Sequence, residues 1–171
     1  MPYDATQWLV DRANIHDTVI ALMLYVDTRQ FDRVASEVLA TELLVDYTSL
    51  LGGEPYTISN TEQAKMWEGM LTKLHATQHG ILSPLVDLGQ PSAEREAPKT
   101  ATALVNGGAT LVRKSADDET IVQNGGRYEL ELTRTATAPG TNPWRISKMK
   151  AIGIWSKGDT QAMVGDSTDK A

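Results

Sequence analysis

The sequence predicts an α+β domain, with helices in the first half and a bent, mostly antiparallel sheet in the second. Three observations carry this. Apolar residues recur at helical spacing near the start, at Trp8, Ile15, Val19, Leu22 and Val26. Far along the chain, Arg127, Glu129 and Glu131 alternate at period two with Tyr128, Leu130 and Leu132, as in a half-buried strand. The elements also run helices first, strands last, instead of alternating. A strongly bent sheet around helices leaves a cavity between them, and such cavities are where small ligands bind.

The chain in order supports this. Asp4 is an N-cap for a helix over Ala5–Val26. A short helix is expected over Gln30–Val38, with Phe31, Val34 and Val38 inward. Glu42–Leu51 (ELLVDYTSLL) reads as a strand ended by Gly52-Gly53. Ser59 and Glu62 have capping-box spacing and start a third helix. It runs to about Leu74, burying Met66, Met70, Leu71 and Leu74, with Trp67 beside them. Four strands follow, over Gly80–Leu88, Thr100–Lys114, Thr120–Thr135 and Trp144–Trp155. Between them lie a Pro-containing loop (Gly89–Lys99), a Ser115–Glu119 turn and an Ala136–Pro143 loop. Gly125-Gly126 implies a bulge or sharp bend. Parity there is open, so either Tyr128 or Glu129 faces inward. In the last strand Trp144 and Ile146 point inward, with Met149 or Ile152 and Ile154 depending on a bulge. One domain is expected over 1–156, followed by a small, polar tail over 157–171.

Composition removes several functions. At 171 residues the chain can bury a substantial core. A net charge of −6 and no basic stripe argue against nucleic acid. Without cysteine there is no disulfide, thiolate nucleophile or cysteine-ligated metal. The opening MPYDATQW lacks the basic and apolar regions of a signal peptide, and no window is apolar enough to span a membrane. A cytoplasmic location is the expectation. Dinucleotide fingerprint, P-loop and nucleophile-elbow motifs are absent.

Two of the three histidines, His75 and His79, fall in LHATQHGILSP, where a helical pattern gives way to a strand. Histidine titrates near neutrality and suits acid–base work. Four residues apart, the two could ligate a metal on one continuous helix. Gly80 ends the helix first, though, and the glutamate of HExxH is missing. No metal and no other cofactor is expected.

The element order, with YVDTRQFDRV, VDYTSL, ATQHGIL, GGRYELELTRT and WRISKMKAIGIW, resembles the SnoaL-like branch of the nuclear transport factor 2-like superfamily, over roughly Ala5–Trp155. Within that branch it is similar to scytalone dehydratase. The resemblance implies a cone: a curved sheet packed on three helices around a pocket. It implies that Asp27 is the acidic residue ending the first helix and that the Tyr47 hydroxyl reaches the pocket. It implies that His79 transfers protons and begins its strand, leaving His75 on the last helical turn. The second pocket histidine of that dehydratase has no counterpart, because no histidine follows position 79 and Thr102–Thr110 offers only Asn106 and small residues.

The expected chemistry is a cofactor-independent lyase or isomerase acting on a small, apolar, ring-containing molecule of secondary-metabolite type. His79 is the acid/base, Asp27 fixes its tautomer or is itself the base, and Tyr47 polarises a carbonyl. Tyr25, Trp67, Asn106, Tyr128 and Glu129 are possible substrate-binding residues. A homodimer or homotrimer is expected through the open sheet face. Two other readings are a non-catalytic ligand-binding or oligomerisation module, and a small structural subunit of a larger oxygenase.

Overall fold

The computed structural model describes residues 3–92, 94–114 and 119–160. Most of the Ser115–Glu119 turn and of the C-terminal tail therefore lies outside the described residues. Helix α1 (Ala5–Asp27) starts on Asp4, whose side chain accepts from the Gln7 amide at 2.8 Å. Ile15, Val19, Leu22 and Val26 are buried, as their spacing predicted. The end of α1 is sharp because Arg29 adopts a left-handed backbone (φ 61°). The Gln30 amide then reaches back to the Tyr25 carbonyl (2.7 Å) and the Arg29 amide to that of Val26 (3.2 Å), a Schellman closure.

The expected Gln30–Val38 helix is a single α turn, α2 (Phe31–Arg33), running into a π-helical turn over Val34–Val38. Phe31, Val34 and Val38 are buried, as read. The Glu42–Leu51 strand is shifted: β1 covers Leu39–Asp46, and the following residues form a one-turn helix, α3 (Thr48–Leu51). Asp46 causes the break. Its carboxylate accepts from the Thr48 amide (3.1 Å) and hydroxyl (2.7 Å), a local bond that competes with the ladder. The sequence reading missed β2 (Tyr56–Ser59), a short strand before the capping box of α4 (Asn60–Leu71). That box forms as predicted, but α4 ends earlier, and Met66 and Met70 are 43% and 47% exposed. The residues buried from α4 are Gln63, Ala64 and Trp67.

The strands β3 (Ala76–Asp87), β4 (Thr100–Lys114), β5 (Glu119–Arg134) and β6 (Trp144–Lys157) complete a six-stranded sheet in the order β2-β1-β6-β5-β4-β3. Only the β1–β6 pair is parallel. Strand β3 starts earlier than read, so His79 lies inside it, and His75 is an exposed residue whose amide donates to the Val112 carbonyl at 2.8 Å. The β4–β5 register runs unbroken through Gly125-Gly126. The bulges lie in β6, which skips Ser147 and Ile154. Skipping Ser147 resets parity, so Trp144, Ile146, Met149 and Ala151 all face the core while Ile154 is 64% exposed.

The core lies between α1, α4 and the concave sheet face, around Leu43, Leu132, Trp144 and Ile146. Each such side chain contributes about 1.5–3 kcal/mol on burial. One polar cluster sits among them. Asp11, 2% exposed, accepts from the Trp144 indole (3.1 Å) and from Arg134, tying α1 to β5 and β6. No helix among the described residues is long and apolar enough to cross a membrane.

Candidate active site

The site is built where α1 ends against the free edge of the sheet. Strand β3 is an edge strand, so amides on its outer side have no ladder partner. The Asp27 carboxylate fills that role at His79. One oxygen accepts from the His79 backbone amide at 2.6 Å, and the other meets Nδ1 of the same residue at 2.7 Å. Both side chains are largely buried, at 14% and 16% exposure. A carboxylate at a helix C-terminus faces the negative end of the dipole, which is unfavourable unless compensated. Here burial pushes the Asp27 carboxyl up, and the ring and backbone hydrogen bonds from His79 with its charge outweigh this, leaving the pKa below the ordinary value. Asp27 is therefore ionised at neutral pH and can only accept. In the neutral imidazole, therefore, Nδ1 carries the proton that faces Asp27 and Nε2 carries the lone pair. Nε2 has no partner among the described residues.

His79 forms part of the wall of a cavity of about 190 Å³. Leu22, Met23 and Val26 of α1 line one side, and Trp67, Met70 and Leu71 of α4 another. Ala109, Leu111, Asn124, Tyr128 and Met149 of the sheet form the floor. Leu50 and Leu51 of α3 also line the cavity, and α3 is held to β6 by a bond from the Gly153 amide to Ser49 Oγ (3.1 Å). Tyr47 leads into α3 and faces the same space. Burial raises the Tyr47 phenol well above its ordinary pKa, with Tyr128 and Tyr56 adding to this and the Trp67 indole opposing it. Burial raises Tyr128 as well. Both hydroxyls stay protonated and can donate. Among the described residues no three His, Asp or Glu side chains gather as a metal site.

The structure thus brings together Asp27, His79, Tyr47, Trp67 and Tyr128. Three nominated lining residues lie elsewhere. Even-numbered residues of β5 from Val122 to Leu132 face inward, so Glu129 is on the outer face, beside Lys150 (4.0 Å) and Arg127 (3.9 Å). Odd-numbered residues of β4 face inward, so Asn106 is exposed on the outer face, opposite Arg127. Tyr25 leaves α1 on the far side. Its hydroxyl donates to Glu37 (3.3 Å) and its ring stacks under Arg33 at 4.1 Å. It borders a separate, larger groove of about 820 Å³ with Glu37 and Arg145, away from the dyad. Sequence reasoning missed Asn124, although it shares parity with Tyr128.

The curved sheet packed against helices is the nuclear transport factor 2-like fold. More narrowly, the chain belongs to the SnoaL-like domain family, whose model matches residues 7–150. Solved structures agree on the fold. The Kfla4162 protein from Kribbella flavida is 20% identical with a TM-score of 0.76, over 91% of this chain and 97% of its own. A type 2 hexachlorocyclohexane dehydrochlorinase is 18% identical at TM-score 0.66, over 91% and 93%. A provisionally assigned scytalone dehydratase from Novosphingobium aromaticivorans is 15% identical at 0.63, over 87% of each chain. No curated protein sequence matches this chain.

Proposed function

We propose that the protein is a cofactor-independent lyase or isomerase that uses His79 to move a proton on a small, apolar, ring-containing substrate. The observation that carries this is the doubly bonded Asp27–His79 pair in the cavity wall. A carboxylate that holds both the amide and Nδ1 of one histidine fixes the ring and its tautomer. Nε2 then takes a proton from an activated carbon, and Asp27 stabilises the imidazolium. In an elimination the C–H electron pair becomes the new double bond and a hydroxyl leaves, taking the proton from Nε2 to depart as water. In an isomerisation the proton returns to another carbon. The protonated Tyr47 donates to an oxygen that gains charge on the way. General acid–base groups contribute about 10²–10⁴-fold.

The apolar walls support an apolar substrate, and the size supports a single substituted ring. A cavity of ~150 Å³ holds benzene, and this one is about 190 Å³. Elimination is also the chemistry named for the dehydrochlorinase and the candidate dehydratase that share the fold. The outer sheet face carries Leu82, Leu85 and Leu104 at 67%, 66% and 45% exposure, which supports assembly as a homodimer or homotrimer. Sedimentation equilibrium tests that part: a monomer at high concentration contradicts it.

The test of function is incubation with a library of cyclic metabolites, read by mass spectrometry, with His79→Ala as control. Conversion by the wild type and not by the variant is expected. Equal conversion by both, or tight ligand binding without conversion, overturns the enzyme reading.

A further inference from the structure

We infer that Asn124 is the group that grips the polar end of the substrate, so that the cavity selects rings carrying a hydrogen-bond acceptor opposite the carbon that faces His79. The sheet register places it there. His79 pairs with Ala109, and Ala109 pairs with Asn124, so the three lie in a row on one inward face. Two strand spacings separate the outer two, about 9.5 Å between Cα atoms. Ala109 is the residue between them in that row, and all three line the cavity.

The orientation of the Asn124 amide is set by its neighbour. The Ala109 backbone N–H donates to Asn124 Oδ1 at 3.0 Å. An oxygen must receive that proton, so Nδ2 is the atom turned the other way. Its two hydrogens have no partner among the described residues. Nor can the strand shift easily here, because the Gly108 and Asn124 backbones are close enough that a Cβ on Gly108 would strike the Asn124 carbonyl. A fixed donor therefore stands across an alanine from a fixed base. An acceptor-bearing ring spans the two, whereas a plain hydrocarbon leaves the amide unpaired.

The inference rests on the acid–base reading for which end of the ring reacts, but binding does not require catalysis. The test therefore reads binding alone. Acetophenone and isopropylbenzene have nearly the same shape and differ in the carbonyl. Their dissociation constants are measured by titration calorimetry for wild type, Asn124→Asp and His79→Ala. The aspartate keeps an acceptor for the Ala109 N–H and removes the donors. Wild type is expected to prefer acetophenone by about tenfold, the usual size for one well-made hydrogen bond. Asn124→Asp is expected to abolish the preference, and His79→Ala to retain it. A second measurement needs no variant: the Asn124 side-chain ¹⁵N–H signals should move with acetophenone and stay put with isopropylbenzene. An unchanged preference in Asn124→Asp, no preference in wild type, or silent Asn124 signals overturns the inference. Loss of the preference in His79→Ala alone assigns the acceptor contact to His79 and overturns it too. Undiminished conversion by His79→Ala in the metabolite screen, with the Asn124-dependent preference intact, would instead remove only the acid–base reading.

Discussion

Replacing Asp27 with asparagine separates what the carboxylate does for chemistry from what it does for the fold. The shape is kept and the charge is lost. Oδ1 of the asparagine can still accept from the His79 backbone amide, where the carboxylate now sits at 2.6 Å. Its NH₂ then faces Nδ1, now 2.7 Å from the other oxygen. Two donors cannot share that gap, so the histidine gives up its Nδ1 proton and protonates Nε2. The lone pair that faced the cavity disappears. Activity should fall by most of the general-base contribution, about 10²–10⁴-fold. The stability cost is smaller. Two charge-assisted bonds become neutral ones, a difference of about 1 kcal/mol each, reduced by partial exposure to about 1–2 kcal/mol in total. The folded-state Asp27 carboxyl titrates below its unfolded value. Its stabilisation is thus complete above about pH 4 and is lost as pH falls through the depressed folded value. Urea unfolding should show wild type and variant converging below about pH 4. The assay for the tautomer is ¹⁵N NMR of the ring: Nδ1–H in wild type, Nε2–H in Asp27→Asn. Finding Nε2–H already in wild type, or no change in the variant, refutes the reasoning.

Other outcomes follow from the same geometry. Asp11→Ala strands the partly buried Arg134 guanidinium and the Trp144 indole, and should cost about 3–5 kcal/mol in chemical denaturation, as for a broken buried pair. Spectrophotometric titration should find Tyr3 ionising only near pH 12, because burial and the Asp11 carboxylate push it there, with Tyr47 well above the usual range and Tyr128 raised by its burial. Two adjacent glycines should differ. A Cβ on Gly125 meets the indole of Trp155, an exposed side chain that can swing away, whereas on Gly126 it meets the Ile152 carbonyl in the backbone. Thermal melts should therefore show Gly126→Ala losing more stability than Gly125→Ala, by roughly 1–3 kcal/mol, the range for single-site overpacking.

Helix α1, the capping box and the long strands were legible because each rests on local periodicity or a single cap. The boundaries that failed depended on side chains acting outside that period. Asp46 looked like one polar residue in an apolar strand, yet its bonds to Thr48 end β1 and start the turn whose Leu50 and Leu51 line the cavity. The parity of β5 was ambiguous because glycines mark either a bend or a bulge, and the bulges fell in the partner strand. That ambiguity admitted Glu129 and hid Asn124. The dyad was legible only through the family resemblance, since its members lie 52 residues apart and meet at a sheet edge that no local pattern announces. Asn106 was nominated by position in a matched segment, and the pleat turned it outward.

Chemical rescue tests the catalytic claim most directly. With a substrate from the metabolite screen, kcat/KM is measured for wild type and for His79→Gly, with and without added imidazole. Acid–base catalysis by His79 predicts a loss of about 10²–10⁴-fold in the variant, with imidazole restoring part of it in a concentration-dependent way. A His79→Gly protein as active as wild type would contradict it.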